Sequence, residues 1–267
     1  MVAMRRTVTA HLDLALSGPT RLVFAVAAAQ DNPLETESLS IVVDGEPIAP
    51  QELLDDHGTR LHAVSVAGSS VSLDYCATIA GVAEPAPVTE TDRLRYLRPS
   101  RYCEADTLGP TAAAEFSGLA GQQLPQAVVE WVNRQLSYVA GSSLPTDGAV
   151  RTLLARRGVC RDFAHLSIAL LRALNVPARL AAVYAPGLSP MEFHAVAEAL
   201  VDDAWWVVDA TRLAPRQSLL RVATGRDAAD TAFLTSFGAP VELSGIEVTA
   251  TADDFALDDQ QALTRLR

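Results

Sequence analysis

The first third of the chain alternates between apolar and polar residues with the period of a β-strand. In residues 7–16 every even position is apolar, which places five apolar side chains on one face. An Asp44-Gly45 pair marks a two-residue hairpin farther along. The predicted strands are residues 7–16, 21–29, 38–50, 60–68 and 69–81. Several short strands at this spacing predict a small all-β sandwich over residues 1–85.

A different pattern follows. Residues 86–110 are rich in proline and charge and are typical of a segment that crosses between domains. Residues 111–267 then form a second predicted domain. Its helices are predicted at 125–140, 141–158 and 160–174, its strands at 178–185, 193–201, 204–211 and 241–254, and a loop with a helical turn at 224–238. Helices followed by an antiparallel sheet indicate an α+β arrangement.

Composition narrows the classes of partner. The chain has 267 residues, 49% of them hydrophobic, and a net charge of −11, so we expect a soluble globular protein that binds neither nucleic acid nor an anionic membrane. Polar residues interrupt the N-terminal segment, and no apolar run approaches about 18 residues, so neither a signal peptide nor a membrane span is expected. Oligomeric state stays open.

The cysteines give a further expectation. Cys76, Cys103 and Cys160 are an odd number without CxxC spacing, which disfavours a disulfide framework or a zinc site. We therefore expect reduced thiols and a cytoplasmic location. Cys76 lies in a predicted apolar strand, where packing is the expected role.

Cys160 has the strongest chemical signal in the chain. Gly158 permits a turn that delivers the cysteine to the first turn of a predicted helix, where unpaired N–H groups and the helix dipole favour negative charge. The thiolate is the reactive form of cysteine. Downstream lie His194 and Asp209, so a nucleophile, a base and an orienting acid follow in order.

The spacing of His194 and Asp209 allows them to meet. If Asp202 and Asp203 form a two-residue hairpin, opposed residue numbers sum to 405 and the two side chains are diagonal neighbours on one face. A turn one residue earlier gives a sum of 403 and places them directly opposite. Both registers permit a hydrogen bond, whereas a loop of odd length would separate the two.

Three further side chains are candidates for substrate binding. Tyr138 and the run 141–143 are candidates, by position alone, for a second donor to an oxyanion. Tyr184 and Met191 flank the loop before His194 and are candidates for the wall of the acyl-donor cleft.

The strings GVCRDFAHL, RALNVPAR, FHAVAEALV and WWVVDAT make residues 158–211 closely resemble the bacterial transglutaminase-like superfamily. The β-rich start is similar to the N-terminal region of one bacterial branch. The resemblance implies a papain-like fold, a Cys–His–Asp triad at Cys160, His194 and Asp209, and no metal or organic cofactor. Val196 and Ala210 depart from the family pattern, which often has tryptophan after the histidine and proline after the aspartate.

These observations predict a cysteine-dependent enzyme that transfers an acyl group from an amide of a peptide or protein substrate through a thioester. Water as acceptor would make it a peptidase or amidase, and an amine would make it a transglutaminase. The sequence does not choose between the two. A non-catalytic peptide-binding module with the same fold is the alternative, and acetyl transfer from a thioester to an arylamine is a third hypothesis.

Overall fold

The computed structural model describes residues 4–255 and 258–267. Its strands are β1 (Arg5–Leu16), β2 (Thr20–Phe24), β3 (Leu34–Val43), β4 (Glu46–Ile48), β5 (Gln51–Leu54), β6 (Arg60–Val66), β7 (Ser70–Ala80), β8 (Ser137–Tyr138), β9 (Arg157–Gly158), β10 (Ala178–Tyr184), β11 (His194–Val201), β12 (Ala204–Val208), β13 (Leu220–Gly225), β14 (Leu234–Gly238) and β15 (Val241–Ala252). Its helices are α1 (Glu90–Arg95), α2 (Gly109–Glu115), α3 (Gln123–Gln135), α4 (Ala149–Ala155), α5 (Cys160–Ala173) and α6 (Ala228–Thr231).

The predicted β-sandwich is present. Its two sheets have the strand orders β15-β1-β7-β3-β4 and β14-β2-β6-β5. The alternation in β1 is confirmed, because its even-numbered residues are buried and its odd-numbered residues are not. The hairpin is confirmed as well, since Asp44 and Gly45 join β3 to β4 with φ angles of 49° and 90°, the left-handed backbone of a tight hairpin turn.

The predicted extent of the second domain, residues 111–267, is wrong at its C-terminal end. β14 pairs with β2, and β15 runs along β1 from Leu16 opposite Val241 to Arg6 opposite Ala252. The last strands therefore belong to the sandwich, and the α+β half is inserted between its strands. Local periodicity shows that a strand exists but does not show which distant strand pairs with it.

The segment predicted as a loop and a helical turn at 224–238 is only partly so. α6 supplies the helical turn, but β13 ends inside this segment and β14 follows α6. All six residues of β13 are buried, so the strand has no alternation that a pattern could detect.

The prediction that Cys76 has a packing role is also wrong, because the residue is exposed. It lies on β7 between the buried residues Tyr75 and Ala77. Side chains alternate along a strand, so this position faces solvent although its neighbours are apolar.

The α+β arrangement of the other half is confirmed. α5 packs on a four-stranded antiparallel sheet of order β12-β11-β10-β13, and α3 and α4 pack against α5. Almost every residue of α5 is buried, which fixes its first turn relative to the sheet. Of the described residues, none belongs to a helix with the length and apolar character needed to cross a membrane.

The β11–β12 hairpin has the first of the two predicted registers. Val201 lies opposite Ala204, so opposed residue numbers sum to 405. Asp202 and Asp203 form the turn with φ angles of 51° and 58°, which aspartate tolerates better than most residues. An even loop therefore keeps the two candidate catalytic side chains on one side of the sheet.

A buried trio of charges ties the sheet to the sandwich. The carboxylate of Glu198 on β11 accepts hydrogen bonds from Arg179 on β10 and Arg221 on β13, at N–O distances of 2.8–2.9 Å. Arg179 also lies 3.3 Å from the ring of His57 in the sandwich. Because a buried charge without a partner destabilises a fold strongly, this trio holds the two halves in one arrangement.

Candidate active site

Cys160 is the first residue of α5, as the sequence predicts. The residue before it is extended, and its N–H donates to the carboxylate of Asp162 at 2.8 Å, which caps the start of the helix. A Cβ on Gly158 would lie 2.6 Å from the Cβ of Asp162, so this position requires glycine. Asp162 thus has the structural role expected of an acid in a first helical turn.

The backbone at Cys160 is suited to an anion. An α-helix leaves the N–H groups of its first turn without intrahelical acceptors, and the helix dipole adds positive potential there. Cys160 is 9% exposed, so its sulfur is shielded from bulk water but lies in the wall of a cavity.

His194 begins β11 and is almost fully buried. Its Nε2 lies 3.5 Å from Oδ2 of Asp209, at the long end for a hydrogen bond, a length seen often in unliganded active sites. The other carboxylate oxygen, Oδ1, accepts hydrogen bonds from the N–H and the hydroxyl of Thr211 at 2.9 and 2.7 Å. Asp209 is therefore fixed from behind by Thr211 and faces His194 with its free oxygen.

The electrostatics of the pair favour a charged imidazole. Burial alone would lower the pKa of His194, but the hydrogen bond with Asp209 and the negative charge of Asp209 and Cys160 outweigh it and raise the pKa to about 10. Burial would raise the pKa of Asp209, and hydrogen bonds from His194 and Thr211 instead hold that pKa below its ordinary value. Both effects stabilise an imidazolium between a carboxylate and a sulfur.

The second ring nitrogen of His194 is available. Among the described residues, Nδ1 has no hydrogen-bond partner although it is buried. Cys160 is the group beside the ring that adds to its raised pKa. The structure therefore brings the three predicted residues together, with His194 between the sulfur and the carboxylate.

A cavity of about 320 Å³ opens beside Cys160 and His194. Its wall is mostly apolar and includes Leu180, Ala182, Phe193, Ala195, Val222 and Phe233. Three larger cavities, of about 360, 670 and 730 Å³, have neither Cys160 nor His194 in their walls. Proximity to the reactive side chains, not size, singles out the smaller one.

The three residues predicted to bind substrate lie in different environments. Tyr138 lies beside Cys160: burial raises its pKa, and negative charge on Cys160 adds to the shift. Tyr184 is wholly buried, and its hydroxyl donates to the carbonyl of Val26 at 2.8 Å. The prediction that it lines the cleft is wrong, because the last residue of β10 faces the sandwich core. Met191 is 44% exposed and lies outside the wall of the cavity.

Two residues that the sequence analysis did not single out lie at the site. Glu192 accepts a hydrogen bond from the hydroxyl of Tyr138 at 2.8 Å, which joins β8 to the loop before His194. Phe233 stacks on Phe193 with ring centroids 5.1 Å apart. The position of Phe193 directly before His194 in the sequence could have identified it as a residue of the site, whereas no neighbouring motif identifies Phe233.

Within residues 4–255 and 258–267, no group of three or more His, Cys, Asp or Glu side chains could hold a metal ion. His165 on α5 lies in the core. Its Nε2 accepts a hydrogen bond from the N–H of Ala228, and its ring stacks on Tyr102.

Comparison with known proteins identifies the family. Residues 112–210 match the family model of the transglutaminase-like superfamily. The crystal structure of "a Putative Cysteine Protease" from Cytophaga hutchinsonii is similar over 99% of this chain and 97% of that one, at 32% sequence identity and a TM-score of 0.89.

A curated relative from Mycobacterium leprae, an uncharacterized protein, is 27% identical over 151 residues, which are 51% of this chain and 52% of the relative. The match thus takes in about half of the length of that protein. The full-length likeness to the Cytophaga hutchinsonii structure, together with the family model, shows that the chain belongs to the transglutaminase-like superfamily.

Proposed function

We propose that the protein is a cysteine peptidase or amidase in which Cys160 attacks the carbonyl carbon of an amide in a peptide or peptide-like substrate. The similar Cytophaga hutchinsonii protein is described as "a Putative Cysteine Protease", which supports water as the acceptor of the acyl group. Cys160 is the nucleophile, His194 the general base and acid, and Asp209 the orienting carboxylate.

In the first half-reaction the thiol proton passes to Nδ1 of His194, while Nε2–H donates to Asp209. The sulfur bonds to the carbonyl carbon, and the carbonyl oxygen becomes an oxyanion. The backbone N–H of Cys160 is suited to stabilise it, because the first turn of α5 leaves that group without an intrahelical acceptor. Nδ1–H then protonates the departing nitrogen, the C–N bond breaks, and a thioester remains.

In the second half-reaction His194 removes a proton from water, and the hydroxide bonds to the thioester carbon. The C–S bond breaks, the carboxylic acid leaves, and the thiol is restored. An amine in place of water would give a new amide through the same steps. Exclusion of water and admission of an amine would be needed for that outcome.

The observation that carries the proposal is the position of His194. It is 1% exposed, faces Asp209 with one nitrogen, leaves the other without a partner among the described residues, and has its pKa raised by both Asp209 and Cys160. Burial of charged groups destabilises a fold unless the pairing is good. A module that only binds peptides has no need for this arrangement.

The test begins with the reactivity of the thiol. Because Cys76 is exposed, labelling is done in a Cys76→Ser background with iodoacetamide at pH 6.5, and the site is read by mass spectrometry. Cys103 is wholly buried, and burial raises its pKa to about 12, so it serves as an internal unreactive thiol. We expect fast labelling of Cys160 that His194→Ala slows by at least about tenfold.

Turnover is then measured on a set of peptide amides, with and without a primary amine, by the mass of the products. The chain contains no lysine, so its own side chains offer no primary amine to compete. Hydrolysis that Cys160→Ala abolishes supports the proposal. Amine incorporation in preference to hydrolysis would make the protein a transglutaminase. Slow labelling of Cys160 independent of His194 would instead favour a non-catalytic peptide-binding module.

We also propose a reducing compartment such as the cytoplasm. The three cysteines are free, and the proposed reaction requires a reduced thiol.

A further inference from the structure

The cavity beside Cys160 arises from two small residues that face each other. Ala182 on β10 lies opposite Ala195 on β11. Each is the one residue of its strand that is not fully buried. Where a helix packs closely on a sheet, larger side chains usually fill the space at such positions. The gap is thus a property of these two positions.

The wall is mostly apolar and disfavours a positive charge. Phe193 and Phe233 form a stacked pair on one side, and Leu180 and Val222 contribute aliphatic surface. Arg161 in the wall donates through Nη2 to the hydroxyl of Ser143 and the carbonyl of Leu144, while its buried Nε has no hydrogen-bond partner among the described residues. An apolar group would lose its contact with water here, whereas a cationic group would lose hydration beside the guanidinium of Arg161 and the ring of His194.

We propose that this cavity binds the side chain of the substrate residue whose carbonyl Cys160 attacks, and that the preferred side chain is aliphatic or phenyl. The inference rests on the proposed function. Cys160 and His194 both belong to the wall, so a carbonyl carbon at the sulfur has its own side chain only a few bonds from the opening. At about 320 Å³ the cavity lies near the lower end of the range for ligand pockets, about 300–1,000 Å³, which suits one side chain.

The test uses peptidyl chloromethyl ketones that contain only the acyl part of a substrate. The sulfur of Cys160 displaces chloride, and the thiol proton leaves through His194. The probes are identical except for the last residue, which is glycine, leucine, phenylalanine, aspartate or lysine. In the Cys76→Ser protein, the leucine and phenylalanine probes should label Cys160 about 10- to 100-fold faster than the glycine probe, the lysine probe no faster than glycine, and the aspartate probe slower than leucine.

A filling variant shows that the preference belongs to this cavity. Ala182→Leu should reduce the ratio of leucine to glycine rates to near one, and the use of a ratio cancels any change in access to the sulfur that the two probes share. Ala228→Leu, from the other wall of the cavity, is the second variant if the first does not fold. The matched control is Ala229→Leu, because Ala229 is exposed and lies outside that wall.

The outcomes separate the two proposals. Equal rates for all five probes, or a preference that survives both filling variants, would overturn the assignment of the cavity. If iodoacetamide labelling of Cys160 still depends on His194 in that case, the proposed function stands without the pocket. Labelling independent of His194 would contradict both the proposed function and the assignment of the pocket.

Discussion

Oδ2 of Asp209 lies 3.5 Å from Nε2 of His194, while the hydroxyl and N–H of Thr211 both donate to Oδ1 of the same carboxylate. Thr211 therefore decides which carboxylate oxygen the imidazole meets. The consequence is a directional contact: one side of Asp209 is occupied by donors, and only the other can hold the ring.

This contact predicts the effect of Asp209→Asn. Thr211 would hold the amide oxygen, so the NH₂ group would face Nε2 and require that nitrogen to accept. The proton would then sit on Nδ1, and His194 could no longer take the thiol proton. We expect kcat to fall by about 10³- to 10⁴-fold with little change in thermal stability, as measured by peptide hydrolysis and thermal unfolding. Asp202→Asn in the exposed hairpin turn is the matched control, and equal activities of the two variants would contradict the assignment.

The raised pKa of His194 predicts a loss of stability at alkaline pH. Its folded pKa, about 10, lies above the ordinary value of 6.5, so the folded state binds the proton more tightly than the unfolded state. The stabilisation is fully present below about pH 6.5 and is lost as the pH rises through 10. The free energy of unfolding of the wild type, relative to His194→Gln, should therefore fall by a few kcal/mol between pH 7 and pH 10.

The chain contains no lysine, and the comparison with His194→Gln by denaturant unfolding at several pH values cancels the cysteine and tyrosine titrations that the two proteins share. A difference between the two proteins that stays flat with pH would show that His194 does not carry the charge in the folded state.

Gly158→Ala should displace the nucleophile. The new Cβ would lie 2.6 Å from Cβ and 2.7 Å from Oδ2 of Asp162, so the carboxylate that caps α5 would have to move. Loss of a helix cap costs about 1 kcal/mol, and a shift of Cys160 by about 1 Å lowers the rate about 10²-fold. Gly109→Ala is the control, because its added Cβ meets nothing within 4 Å. Wild-type iodoacetamide kinetics in Gly158→Ala would refute this account.

Tyr138→Phe tests whether the contact with Glu192 restricts access to the sulfur. The hydrogen bond joins β8 to the loop before His194, and Cys160 lies beside the same tyrosine. A hydrogen bond of this kind contributes about 0.5–1.5 kcal/mol, so its removal should speed labelling of Cys160 by a bulky maleimide about two- to tenfold. Labelling by iodoacetamide, which is small, is the internal control. A slower reaction with both reagents would indicate that the tyrosine hydroxyl assists the chemistry instead.

Local features of the sequence predict the parts of the site that lie close together along the chain. The glycine before Cys160 and the acid after it mark the start of a helix, and the two aspartates between β11 and β12 fix an even register. Both are short-range effects of turn and cap chemistry.

The parts that join distant segments could not be predicted in this way. Phe233 reaches the cavity because β14 pairs with β2, and Tyr184 is buried because its hydroxyl meets Val26 of the sandwich. Periodicity predicts neither contact, since the pattern within one strand does not show which distant strand pairs with it.

The pairing of β15 with β1 and of β14 with β2 has a consequence for synthesis on the ribosome. The nascent chain receives its thiol, imidazole and carboxylate before the two strands that complete both sandwich sheets and bring Phe233 to the cavity. Long-range strand pairing is also slow, because the intervening chain must first be closed into a loop. Maturation of the cleft therefore waits until β14 and β15 have been synthesised and paired.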